Sequence, residues 1–216
     1  CSRLQKSREE IVADLIETGK KKLDDDDYRG AKDALEEALE LDDDNAEALA
    51  WLGLVYIEED PKDPDNQEKA EDYAEKAIEE DPTMALPHKV IAEVLEERGD
   101  YEGAEHELKQ ALRLDDDDWD TYYRLGVVQY RMRKYSDAEN SFETCVRLKP
   151  DNYKAHYNRG KAFINLRQHD QAASSFEKAI SYKRDFHQAY SELGQIYAAR
   201  KDYSSAVNAF KNAVRY

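Results

Sequence analysis

The chain has 216 residues, 38% of them charged and 10% aromatic, with 15 tyrosines and a formal net charge of −17. Mean hydropathy is −0.96, but a disordered acidic chain would lack so many rings. No apolar run reaches the roughly 18 residues that a membrane-spanning helix needs.

Ser7-Arg8-Glu9-Glu10 reads as a capping box, with Ser7 accepting from the third backbone N–H and Glu10 reaching back. It predicts a first helix from near Arg8, after a short polar tether, Cys1 to Lys6. From there one spaced pattern returns six times. Its copies are Leu15, Gly19, Tyr28, Ala31, Leu35, Ala38; Leu49, Gly53, Tyr56, Ala70, Ala74, Ala77; Ile91, Ala92, Tyr101, Ala104, Leu108, Ala111; Tyr122, Gly126, Tyr135, Ala138, Phe142, Cys145; His156, Gly160, His169, Ala172, Phe176, Ala179; and Tyr190, Gly194, Tyr203, Ala206, Phe210, Ala213. The units begin near 12, 46, 85, 119, 153 and 187, so four steps are 34 residues and one is 39. Each unit predicts two helices and a tight turn. A mid-helix glycine costs about 1 kcal/mol against alanine. Its repetition predicts close helix approach there, with the Ala twelve residues on as the expected partner. Pro82 and Pro150 fall at unit ends, where a helix must stop.

The second unit carries the five extra residues, expected between its helices as a rigid exposed loop over 58–67. Tyr216 falls inside the second helix of the sixth unit. That unit reads as incomplete, with either more chain to follow or a last helix that docks on something. Cys145 holds the small buried position that alanine fills elsewhere and is expected in the core.

A 34-residue period with this pattern resembles the tetratricopeptide repeat family over nearly the whole chain. The resemblance implies an all-α, right-handed superhelical solenoid of six stacked helix-turn-helix units. Residues 1–11 are then the tether and the start of the first helix, and 12–216 a single solenoid. It further implies a non-catalytic protein-interaction scaffold, with the first helix of each unit lining a concave groove. Carried onto this chain, units four and five offer Tyr123, Val127, Tyr130, Arg131, Tyr157, Lys161, Ile164 and Asn165 as inward positions. Tyrosine and arginine are frequent binding hot spots. Asn158 sits where peptide-binding relatives place an Asn that grips ligand backbone. Chaperone-adaptor members use Lys at the fifth and Asn at the ninth position of one unit. No unit here has that pair, so a chaperone-tail adaptor is not expected.

Charge divides along the chain. Residues 1–118 hold 39 Asp and Glu against 15 Lys and Arg, a net of −24; residues 119–216 hold 10 against 17, a net of +7. Three readings stand open: solubility with helix-capping Asp, steering of a partner, and head-to-tail self-association of acidic and basic halves. The bound segment is expected to be acidic. Nucleic acid is disfavoured, since the acidic half repels phosphate. Contiguous Asp runs at 24–27, 42–44 and 115–118 lack the spacing and glycine of a calcium loop.

A chain that begins Cys1-Ser2 with a polar tether also resembles a mature bacterial lipoprotein. That resemblance implies a lipid on Cys1, a cell-envelope location and, as the alternative function, a membrane-anchored lipoprotein that self-associates or organises a multiprotein complex; the other reading of Cys1 is a boundary or cloning residue on a cytoplasmic protein. The five histidines include no helical pair at metal spacing. No glycine-rich phosphate loop or nucleophile elbow occurs. The sequence therefore predicts no catalysis, no cofactor and no metal.

Overall fold

The computed structural model describes residues 6–216, and Cys1 lies outside them. Among the described residues there are twelve helices and no strand. Two compact units divide the chain, one ending at Asp116 and the other running Asp117–Tyr216. The first contains α1 (Arg8–Asp24), α2 (Tyr28–Leu41), α3 (Ala46–Glu59), α4 (Pro64–Glu80), α5 (Ala85–Arg98) and α6 (Tyr101–Leu114). The second contains α7 (Trp119–Arg131), α8 (Tyr135–Leu148), α9 (Tyr153–Asn165), α10 (His169–Tyr182), α11 (His187–Ala199) and α12 (Tyr203–Arg215). Within each unit successive helices pack pairwise as antiparallel hairpins, and each hairpin packs on the next.

The sequence places these boundaries through its caps. Ser7 accepts from Glu10 N while the Glu10 carboxylate accepts from Ser7 N, closing the expected capping box. Side chains of Asp27, Asn45, Asp63, Asp100, Asp118, Asn152 and Asp202 cap seven more helices. The Asp runs thus do local work: Asp27 ends one run and caps α2, and Asp118 ends another and caps α7. In five of the six helix pairs, all but α3–α4, the chain turns through one left-handed residue, at Asp26 (φ 59), Gly99 (φ 78), Arg133 (φ 61), Arg167 (φ 61) and Lys201 (φ 64). Only the third turn supplies the glycine this region favours; the other four place a charged residue there.

The core corrects one expectation. The small mid-helix residue faces the large residue sixteen positions on, and the Ala twelve on is not its nearest neighbour. A methyl on Gly126 would lie 2.6 Å from the Phe142 ring, and one on Gly160 would lie 2.6 Å from Phe176. Gly19 and Gly194 stand the same way toward Leu35 and Phe210. At these four sites a ring or isobutyl group, as placed, fills the space a Cβ would take. The alanines twelve on are buried, Ala31, Ala104, Ala138 and Ala172 fully so. Unit two is the exception. Its large position is Ala74, and the two backbones close in until the Gly53 Cβ site is 3.0 Å from the Ala70 carbonyl oxygen.

The insertion is also not the long exposed loop expected at 58–67. Glu58 and Glu59 remain in α3, Pro64 opens α4 at its first turn, and only residues 60–63 are loop. Most of the added length makes α4 a 17-residue helix where α2 and α6 have 14. Asn66 and Gln67 are buried. Gln67 donates to the Pro61 carbonyl (2.8 Å) and accepts from Arg98 (3.1 Å), while Asn66 donates to Glu59 (3.3 Å). Those bonds fold the insertion back onto α3 and α5.

Cys145 is fully buried and unpaired by disulfide, as expected of a core residue. Burial pushes its thiol up to about 12, against a weaker opposing contact from Asn152.

Candidate partner-binding groove

Between α7 and α9, with α8 beneath, lies a cavity of about 290 Å³ lined by Tyr123, Val127, Tyr130, Arg131, Phe142, Asn158 and Lys161. Six of these seven residues are sequence candidates. They meet because the period puts positions five, nine, twelve and thirteen of α7 on one helix face, and α9 repeats the register one unit later.

The polar groups are ordered by contacts between neighbouring repeats. Asn158 Nδ2 donates to the Tyr123 hydroxyl at 3.1 Å, and Asn165 Nδ2 donates to the Tyr130 hydroxyl at 3.0 Å. Both pairs span 35 residues, so each asparagine fixes a tyrosine of the preceding repeat. Lys161 Nζ lies 5.0 Å from the centre of the Tyr130 ring and 5.7 Å from that of Tyr157, within cation–π range. Burial raises the Tyr123 and Tyr130 hydroxyls above their ordinary value, outweighing the asparagine bonds that oppose it. Both stay protonated near neutral pH, so each hydroxyl accepts from its asparagine and keeps a proton of its own to donate.

Three candidates stand elsewhere. The Tyr157 ring packs on Phe176 at 5.5 Å and on Phe186 at 4.9 Å between centroids, in the core between α9, α10 and α11. Ile164 is half-buried against the same cluster. Asn165 is exposed at the rim, held by Tyr130 and by the Lys161 carbonyl. Sequence reasoning missed two residues. Phe142 forms the floor, but its register marks it as core filler. Glu192 of α11 acts on Tyr130 and Tyr157 through its charge. It shares the register of Asn158 one unit on, and following that register would have found it.

His156 of α9 is half-buried. Its ring stacks on Tyr182 at 5.5 Å, and its Nε2 is 2.9 Å from the Pro150 carbonyl oxygen, which requires the proton on Nε2. Burial is the largest influence and lowers its pKa below 6.5; Arg159 and Lys178 push the same way, and the Pro150 bond opposes them. The unfolded chain then takes up this proton first as pH falls through 6.5, so stability falls with pH there. Thermal melts between about pH 7 and 5.5 should show a shallower decline for His156→Gln than for wild type. Equal slopes would contradict this.

Among the described residues no group of three or more His, Cys, Asp or Glu side chains is placed to hold a metal, and no helix is long and apolar enough to cross a membrane.

Comparison with known proteins adds to this geometry. A family profile described as tetratricopeptide repeat matches residues 17–85, 123–180 and 159–215, and one described as TPR repeat matches 92–132. Among solved structures, Pseudomonas aeruginosa pilF is 22% identical, covers 94% of this chain and 90% of its own, and superposes with a TM-score of 0.81. YrrB, described as a TPR protein with an unusual peptide-binding site, is 21% identical over 84% of this chain and 91% of its own, with a TM-score of 0.73. MamA is 25% identical over 82% of this chain and 93% of its own, with a TM-score of 0.65. No curated protein sequence matches the chain at a significant level.

Proposed function

We infer function from one premise: the chain belongs to the tetratricopeptide repeat family. Proteins built from this repeat are generally non-catalytic scaffolds for other proteins. We propose that this one binds a partner segment of acidic character in the groove of α7 and α9. The observation that supports the site is the cavity lined by Tyr123, Tyr130, Arg131, Asn158 and Lys161. Amphipathic rings and cations on a preordered surface bind a flexible segment with little further ordering of the receptor. A protein with a peptide-binding site among the similar structures is consistent with this reading.

The test is quantitative co-purification from source cells with wild type and a folded Tyr123→Ala, Arg131→Glu, Lys161→Glu triple variant. Partners retained by wild type should fall about tenfold or more on the variant. Equal recovery would remove the groove from the function.

A second reading, self-association, is favoured by the exposed face of α12. Val207, Phe210 and Val214 are exposed around an apolar concavity of about 380 Å³ beside Lys211. The same registers on α10, Ala173, Phe176 and Ile180, pack into a core with α11. The acidic half of a second copy would complement the cations near α12. Sedimentation velocity should then give a larger species at about 20 mM salt than at about 500 mM, because screening shortens the attraction. One monomeric species at both would discard it. The lipid reading concerns Cys1, outside the described residues; intact-mass measurement of native protein would test it, and an unmodified Cys1 would remove it.

A further inference from the structure

The polar atoms facing the α7–α9 groove are mostly donors, and one of them can be oriented without ambiguity. Asn165 Nδ2 contacts both the Tyr130 hydroxyl at 3.0 Å and the Lys161 backbone carbonyl at 2.9 Å. A carbonyl only accepts, so that atom is the NH₂ and the amide orientation is fixed. The Tyr130 oxygen therefore accepts from Asn165, and its own O–H proton remains to be donated elsewhere. Lys161 Nζ stands over the same ring at 5.0 Å. Arg159 and Arg200 of this unit pair with Glu139, Glu143 and Asp170, whereas Lys161 has no carboxylate partner among the described residues. A hydroxyl proton and an ammonium beside each other call for an anionic acceptor. Glu192 already acts on Tyr130 through its charge and would oppose a second anion. Next to these donors the cavity wall turns apolar at Val127 and Phe142.

We propose that Tyr130 and Lys161 form a subsite for one carboxylate side chain of the bound segment, with Val127 and Phe142 seating its apolar neighbour. The ligand class is an extended peptide that carries Asp or Glu beside an aliphatic or aromatic residue. This rests on the groove reading above and names the chemistry of its ligand.

The probe is a random dodecapeptide display library selected on wild-type protein. The best binders are synthesised with a fluorophore, and their affinities are measured by anisotropy. The selected peptides should share one acidic residue beside an apolar one. Changing that acid to its amide should weaken binding to wild type about tenfold, and less than about threefold to a Lys161→Met, Tyr130→Phe variant. Glu192→Gln should tighten binding of the acidic peptide and leave the amide peptide unchanged. Peptides without a shared acid, or an equal loss on wild type and variant, would overturn the subsite. A Val127→Trp variant, which fills the cavity, separates the two claims. Loss of binding there with a dispensable acid refutes the subsite alone, and undiminished binding refutes the groove reading with it.

Discussion

Phe176→Ala is expected to destabilise the compact unit Asp117–Tyr216 by about 3–5 kcal/mol and to lower its thermal midpoint by about 10 °C or more. The ring is fully buried and lies against the backbone of Gly160. It contacts Tyr157 at 5.5 Å between centroids and shares a cluster with Phe163, Phe186 and Leu193. Truncation opens a cavity that α9 and α10 cannot close, because each is also held by its other neighbours. Phe210 supplies an internal control. It has the same register and the same glycine contact, yet it is 39% exposed, so Phe210→Ala should cost less than half as much. Equal losses would mean that packing between successive hairpins contributes little.

Gly160→Ala is expected to cost about 1–3 kcal/mol, although alanine has the higher helix propensity. The added methyl would sit 2.6–2.9 Å from three ring carbons of Phe176, closer than carbons approach without displacement. Unit three shows how the chain relieves this: its small position is Ala92, and its large position is Leu108. Adding Phe176→Leu to Gly160→Ala recreates that pair. The double variant should be more stable than the sum of the single effects by about 1 kcal/mol or more in urea unfolding. Additive effects would refute a direct exchange of volume between these two positions.

Much of the fold was legible in the sequence, for one physical reason. A repeat that cannot bury its apolar face alone must repeat its solution, so six phased copies of one spaced pattern specify twelve helices. Caps such as Ser7, Asn45 and Asn152 then fix where helices begin. What failed to show was which residue meets which. Gly160 and Ala172 are both small and share a unit, and spacing alone suggested that they meet. The actual partner, Phe176, is set by the direction a large side chain takes off its helix. The 58–67 segment misled for a related reason. Its prolines and acids look like a loop, but Pro64 stands at a helix first turn, where its missing N–H is harmless, and Gln67 finds buried partners.

The candidate groove was legible in its membership and not in its internal bonding. Tyr123, Val127, Tyr130, Arg131, Asn158 and Lys161 line one cavity because they share registers on adjacent first helices. Asn158 and Asn165 were read as groups facing a ligand, and the sequence did not show that each also donates to a tyrosine of the repeat before it. Such a bond depends on the offset between two packed helices, which no single-helix register contains. Tyr157 shows the converse: its register is that of Tyr123, but Phe186 fills the space beside it.

The most direct test of the partner-groove account is site-specific photo-crosslinking in source cells. A benzophenone amino acid would replace Arg131 or Asn165, both exposed on the groove side, and, as a control, Ser174, exposed on α10. The account predicts one shared partner adduct from positions 131 and 165 and none from 174. Adducts from 174 with none from 131 or 165 would contradict it and move the binding surface to the second helices.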